Sequence, residues 1–291
     1  MEWTPGGSSQ DLEDRRGEAG GGGGGGGFGF GHLGIGGILI VGLLSLIFHQ
    51  NFFSLFSGGG GIDSGQGQVQ SAPNPQQDQA ETRERDLMVA VLNADQSNWD
   101  KMLPAQTNRP YRHAHLVLFR GATSSGCGTA QDATGPFYCP EDEKVYLDLG
   151  FFDELKTRFG GSNADFAQAY VVAHELGHHV QKLLGTEEKV RNAQGQRPDQ
   201  ANALSVAMEL QADCYAGVWG NSAKDTFKLN QTDIQSALSA AAAVGDDHLQ
   251  KMATGRVMPE KFTHGSSAQR DEWFTKGYQT GQISACNTFG Q

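Results

Sequence analysis

The chain has 291 residues and a formal net charge of -11 at pH 7. That length allows one sizeable domain with appendages. The acidic balance, with no basic stripe anywhere along the chain, excludes non-specific nucleic-acid binding as the function.

Residues 1–29 are polar, then nearly pure glycine from Gly20 to Gly27. Such a composition buries too little apolar surface to offset the entropy of ordering, so a disordered tail is expected. A glycine-rich loop can cradle phosphate, but that needs a strand before it, a helix after it and usually a Lys, and none is present. Residues 30–56 read as a membrane anchor. Between Leu33 and Phe48 there is no charged residue, and with the flanking Phe and Gly residues from Phe30 the run is just long enough to span as a helix. Its glycines are common in membrane helices, and Phe52, Phe53 and Phe56 suit an interface. A cleaved signal peptide is the competing reading. Against it stand the long preceding tail, the length of the apolar run and the lack of a prompt small-x-small site. Arg15 and Arg16 precede the run and no Lys or Arg follows until Arg83. The positive-inside rule then predicts a single-pass protein of the bacterial inner membrane, N-terminus cytoplasmic and the bulk of the chain extracytoplasmic, which is the periplasm in a Gram-negative cell.

Residues 57–80, rich in Gly, Ser, Gln and Pro, read as a flexible linker, and the folded domain as residues 81–291. Within it, Leu87, Val91 and Leu92 predict a helix over 83–103 stopped by Pro104. A strand is expected over 111–120, with His113 and His115 on one face. Residues 121–140 look like loop. A second strand is expected over 144–152, and 145–150 is the candidate to lie along an extended peptide. A short helix is expected over 152–159.

His174-Glu175-Leu176-Gly177-His178 fits H-E-x-x-H. On a helix predicted over 165–184, ended by Gly185, residues four apart share a face, so His174 and His178 can aim two imidazoles at one metal ion. Glu175 lies about 100° further round, where a metal-bound water needs a base. A second helix, predicted over 203–219, carries Glu209 and Asp213 four apart among apolar neighbours. Buried carboxylates need partners. A catalytic zinc site needs three protein ligands and one open position, and two His with one Glu is a standard set. Glu209 is the natural third ligand, and Asp213 can accept a hydrogen bond from the distal nitrogen of a ligand His. His179 points away from that face. Residues 186–201 read as a polar linker, 232–244 as a helix of small residues, 259–265 as a loop carrying His264, and 268–279 as a final helix. The four cysteines, Cys127, Cys139, Cys214 and Cys286, all follow the predicted anchor. An even count on an oxidising side favours two disulfides, with three pairings open. Cys127 with Cys139 would close a short local loop, and Cys214 with Cys286 would tie the tail to the second helix.

The segments CGTAQDATGPFYCPEDEKVYLDLGFFDEL, DFAQAYVVAHELGHHVQ, MELQADCYAGVW, GRVMPEKFTHGSSAQR and SACNTF resemble the bacterial neutral zinc metallopeptidase family, membrane-anchored and zincin-like. The resemblance covers residues 81 to the end. It implies an α+β fold, a mainly helical zincin-like domain with a small sheet preceded by one transmembrane helix. It also implies zinc as cofactor and hydrolysis of peptide or unfolded protein. More widely, the chain is similar to thermolysin-like zincins, whose third-ligand helix carries E-x-x-x-D, matched here by Glu209 and Asp213. Those enzymes place a transition-state stabiliser after the third ligand. His264 is the first candidate for that role, with Tyr215 and His248 behind it. The rival to a peptidase is a zinc-stabilised envelope module that binds without cutting. Retention of Glu175, which coordination does not need, speaks for hydrolysis.

Overall fold

The structure, a computed structural model, describes residues 1–5, 7–18, 75–131 and 135–290. The core is a four-stranded sheet in the order β1 (Leu12–Asp14), β2 (His115–Phe119), β6 (Lys144–Asp148), β5 (Phe137–Cys139). β1, β2 and β6 run parallel and β5 is antiparallel to β6. The period of two along a strand sorts the side chains. Leu116, Leu118, Val145 and Leu147 face the main helical core, while Val117, Phe119 and Tyr146 face a smaller cluster with Ala130 and Cys139. That second cluster sits under the hairpin β3 (Ala122–Ser125) and β4 (Gly128–Gln131). Both faces are covered, which explains the near-continuous apolar runs of β2 and β6.

Helices α1 (Pro75–Thr107), α2 (Gly150–Thr157), α3 (Asp165–Leu184), α4 (Thr186–Gln196), α5 (Ala201–Ala223), α6 (Gln231–Ala243), α7 (Asp246–Thr254) and α8 (Ser267–Thr280) make up the rest. The tightest packing is between α5 and α8. A Cβ on Gly217 would lie 2.1 Å from the Phe274 carbonyl oxygen, and one on Gly277 would lie 2.0 Å from that of Cys214. No side chain fits at either position, so the two backbones meet directly. Disulfides join Cys127 to Cys139 and Cys214 to Cys286. The first pins β5 to the β3–β4 turn, and the second pins the C-terminal segment to α5.

Several sequence expectations change. Residues 1–18 are not a disordered tail: β1 pairs with β2, and Met1, Trp3 and Leu12 pack against the main core. The segment stays polar because it contributes only these few, partly buried side chains. The predicted anchor at 30–56 lies outside the described residues. Among the described residues no helix is long and apolar enough to cross a membrane. Helix α1 runs through Pro104 to Thr107, since a proline in the final turn removes only one intrahelical bond. His113 precedes β2 and bridges Asp11 and Asp100 at 2.7 and 3.0 Å, so it shares no strand face with His115. β6 is interior, flanked by β2 and β5. The sheet edge beside α3 is therefore β5, in a stretch read as loop, and not the 145–150 stretch. The polar 186–201 linker is α4 and a short 3-10 turn, with Val190 and Gln194 buried. Residues 246–254, unassigned from sequence, form α7.

Glu84 on α1 is half-buried, and burial with the nearby carboxylates of Asp153 and Glu81 pushes it up to about 7. The folded state thus holds this proton more tightly than the unfolded chain. The associated stability is complete below the ordinary Glu range and is lost as pH rises through about 7. Glu84→Gln should therefore unfold at higher urea than the wild type at pH 8, by roughly 1 kcal/mol after allowing for solvent screening, with the gap shrinking towards pH 4. Equal midpoints at pH 8 would count against this assignment.

Candidate metal centre

Helix α3 is a buried rod, and its sequence dictates this. Phe166, Ala169, Tyr170, Ala173, Leu176 and Val180 all face the interior. Asp165 sits in the first turn, where the helix dipole favours an anion, and Gly185 ends the helix with φ +73°. His174 and His178, one turn apart, stand with ring centroids 4.9 Å apart. Helix α5 crosses α3 at Gly177, where an added Cβ would lie 3.0 Å from the Ala212 carbonyl oxygen. That close approach brings Glu209 between the two imidazoles. Its Oε2 is 3.2 Å from His174 Nε2 and its Oε1 is 3.6 Å from His178 Nε2. One ligand atom from each of the three residues lies within 4.8 Å of the others.

The far side of each imidazole is already engaged. His174 Nδ1 donates to Asp213 Oδ1 at 2.8 Å. His178 Nδ1 donates to Gln181 Oε1 at 2.8 Å. Both tautomers are thereby set so that Nε2 carries a lone pair towards the common centre. Gln181 is itself held, donating to the Met208 carbonyl at 2.7 Å and to Gln211 Oε1 at 3.1 Å, and Gln211 donates to the Cys286 carbonyl at 2.8 Å. Asp213 is fully buried and accepts from Arg270 through Nε at 2.9 Å and Nη2 at 3.0 Å, and from the Tyr170 hydroxyl. Burial alone would raise the Asp213 carboxyl, but Arg270 and His174 hold it below the ordinary range.

The electrostatics suit a cation. Burial would raise Glu209, yet the two imidazoles hold it well below the ordinary carboxylate range. Burial would lower His174, yet Asp213 and Glu209 raise it to about 10. A field that favours a proton on Nε2 equally favours a metal ion there. Two imidazole nitrogens, each oriented by a partner on the far side of its ring, and one carboxylate match what zinc takes.

Glu175 is 8% exposed, and burial raises its carboxyl against the opposing pull of His174 and His178. Among the described residues its carboxylate makes no hydrogen bond. His264 is brought to the same place by a loop clamped on Asp246. Asp246 Oδ2 accepts from the backbone N–H of Thr263, His264 and Gly265 at 2.6, 2.6 and 2.9 Å, and Oδ1 lies 3.2 Å from His264 Nδ1. Gly265, at φ +91°, seats this turn on α5, its Cβ position 3.0 Å from Leu210 and 3.5 Å from Val206. Burial lowers His264, while Asp246 and Glu209 outweigh it and raise it. His248 is turned away, bonded to the Phe159 carbonyl at 2.9 Å, and Tyr215 packs edge-on against Trp99. His179 also faces away, between the Tyr138 hydroxyl at 2.9 Å and the Arg112 carbonyl at 2.7 Å, and burial lowers it to about 4.

The structure thus gathers His174, Glu175, His178, Glu209, Asp213 and His264, and ties the four cysteines up in disulfides. Sequence reasoning missed Tyr170, Gln181, Gln211, Asp246 and Arg270. Tyr170 is four residues before His174 and Gln181 three after His178, so helical spacing could have found both. Nothing in the spacing of Asp246 or Arg270 points to the centre.

Two histidines and a glutamate on two crossed helices, backed by a buried carboxylate, form a candidate metal centre of the kind zinc peptidases use. The chain belongs to the family described as "Putative neutral zinc metallopeptidase", whose model matches residues 1–289. It is 44% identical over 295 residues to "Uncharacterized protein YpfJ" of Escherichia coli K12, covering 100% of this chain and 99% of that protein. It is 49% identical over 213 residues to "Uncharacterized protein Rv2575" of Mycobacterium tuberculosis H37Rv, covering 69% of each. No solved structure matches the chain.

Arg270→Met removes the cation that balances Asp213. The expected result is a loss of about 3–5 kcal/mol in unfolding free energy, because a buried charge is left alone. Zinc affinity, measured by competition with a chromogenic chelator, should also weaken by roughly 10–100-fold. Unchanged affinity would show that Asp213 orients His174 without Arg270.

Proposed function

We propose that the chain is a zinc-dependent metalloendopeptidase acting on peptide or unfolded-protein substrates. The observation that carries this reading is the convergence of His174 Nε2, His178 Nε2 and a Glu209 carboxylate oxygen beside a buried Glu175 carboxylate that makes no hydrogen bond among the described residues. His174, His178 and Glu209 would hold the zinc. When bound, zinc supplies a Lewis acid that polarises a carbonyl and makes a water acidic near neutral pH.

The chain's own groups do the rest. Glu175 takes the proton of the attacking water and delivers it to the leaving amine. Its burial keeps its basicity above that of an ordinary glutamate, as this task requires. The imidazolium of His264, which Asp246 and Glu209 favour and whose Nδ1–H is held by Asp246, offers Nε2–H to the oxyanion of the tetrahedral intermediate. β5 offers main-chain donors and acceptors along the sheet edge beside α3, so an extended peptide can add to it as a strand. Such backbone pairing supplies affinity with little demand on side-chain sequence.

The test uses the full chain purified without chelator, measuring zinc content and casein hydrolysis. Wild type and Glu175→Gln should each carry about one zinc per chain, while hydrolysis falls at least ~10²-fold in the variant. A zinc-loaded wild type with no hydrolysis on any unfolded substrate would favour a binding module. No zinc in a folded chain would sink the metal assignment. His264→Ala should lower kcat by roughly 10²-fold with KM little changed, since its bond forms only as charge develops on the carbonyl oxygen. A pure KM effect would place it in substrate binding.

A further inference from the structure

Residues 1–18 are built into the metallopeptidase domain at several independent points. β1 extends the sheet in register, with Leu12 opposite Leu116 and Asp14 opposite Leu118. The Leu116 N–H donates to the Asp11 carbonyl and the Arg15 N–H to the Leu118 carbonyl, both at 2.8 Å. The Glu2 N–H donates to the Phe227 carbonyl at 2.8 Å, the Met1 ammonium pairs with Asp233, and Glu2 pairs with Lys228. Trp3 Nε1 donates to Asp165 Oδ2 at 2.7 Å, and the Arg83 guanidinium lies over the Trp3 ring at 5.4 Å. Asp165 is the first residue of α3, so the N-terminal segment grips the helix that carries His174 and His178.

The two ends of the intervening segment also meet. Arg16 Nη1 donates to the Glu81 carbonyl at 3.2 Å and approaches the Glu81 carboxylate at 3.3 Å. The chain therefore leaves the domain beside the place where it returns. Between these points lies the apolar stretch from Leu33 to Phe48.

From this we infer that residues 1–18 and the metal centre occupy the same side of any membrane, so that residues 30–56 do not carry the chain across it as a single span. A hydrocarbon core is about 30 Å thick, whereas strand pairing needs N···O separations of about 3 Å. β1 on one side cannot pair with β2 on the other. A shared side departs from the topology expected from sequence, in which the N-terminus and the domain lie on opposite sides. That expectation rested on Arg15 and Arg16, the basic residues that precede the apolar run. In the fold both have other work: Arg15 pairs with Glu13, and Arg16 with Asp14 and Glu81. They are structural ion pairs of the folded domain, which accounts for their presence without a role in membrane orientation. A cleaved signal is equally incompatible, because cleavage would sever β1 from the chain whose sheet it completes.

The test uses the full chain in bacterial cells whose outer barrier has been permeabilised. Exposed reporters are introduced one at a time, Ser8→Cys in the N-terminal segment and Gln196→Cys at the end of α4. Each is treated with a membrane-impermeant maleimide before and after lysis. The two reporters should behave alike, both reactive in intact cells or both reactive only after lysis, and both on a polypeptide of full length. One reactive and one protected, or a Ser8→Cys reporter severed from the domain, overturns the inference. The wild-type chain supplies a check that needs no substitution. A water-soluble carbodiimide applied to native membranes or lysate should join the exposed Glu2 carboxylate to the Lys228 amine, recovered as one cross-linked peptide and lost in Lys228→Met. Failure to recover that peptide from wild type also overturns it.

Discussion

Asp213 is a carboxylate with no access to water, and the centre is arranged around the need to satisfy it. It meets Arg270 from α8, Tyr170 and His174 from α3, and it belongs to α5. A buried charge left without partners costs several kcal/mol, so these three helices are constrained to one mutual arrangement. That arrangement sets the ring plane and tautomer of His174, and with it the position where a metal can bind. The contact glycines make it geometrically possible. Gly177 admits α5 to α3, and Gly217 with Gly277 admits α8 to α5. The same packing that closes the core therefore points the site.

His178 is oriented by neutral groups. Gln181 and Gln211 relay its Nδ1 bond to backbone carbonyls of Met208 and Cys286. The disulfide between Cys214 and Cys286 fixes the segment that supplies the last of these. Thus one ligand histidine is held by an ionic network and the other by amides and a covalent tie. The Glu209 carboxylate faces both Nε2 atoms, so its charge is balanced by whatever cation they share.

The sheet serves the site from a distance. Its interior strands, β2 and β6, provide the surface on which the helices pack, while β5 lies next to α3 at the opposite edge from β1. The N-terminal segment supplies β1, which covers the outer edge of β2, and bonds to the first residue of α3. A long apolar edge strand is a liability in a folded protein, and residues 11–15 cover β2 with a short, charged edge strand instead.

Much of the centre was legible in the chain. The HELGH spacing and the Glu209–Asp213 spacing each place two groups on one helix face, because a turn of α-helix repeats after nearly four residues. The limits of α3 follow from the apolar run that ends at Gly185, whose φ of +73° suits a residue without a side chain. Local periodicity determined these elements. It could not determine which helix lies against which. Arg270 and Asp246 are far along the chain from the residues they hold, and only the crossing of α8 and the clamped 263–265 turn brings them in. The polar N-terminal segment shows the same limit from the other direction. Composition measures how much apolar surface a segment can bury alone, and a strand that adds to an existing sheet edge needs backbone hydrogen bonds more than side chains. The sequence by itself therefore determined the chemistry of the donors and their spacing on each helix. Tertiary structure decided their partners and the side of the sheet they share, because those depend on contacts between residues far apart in the chain.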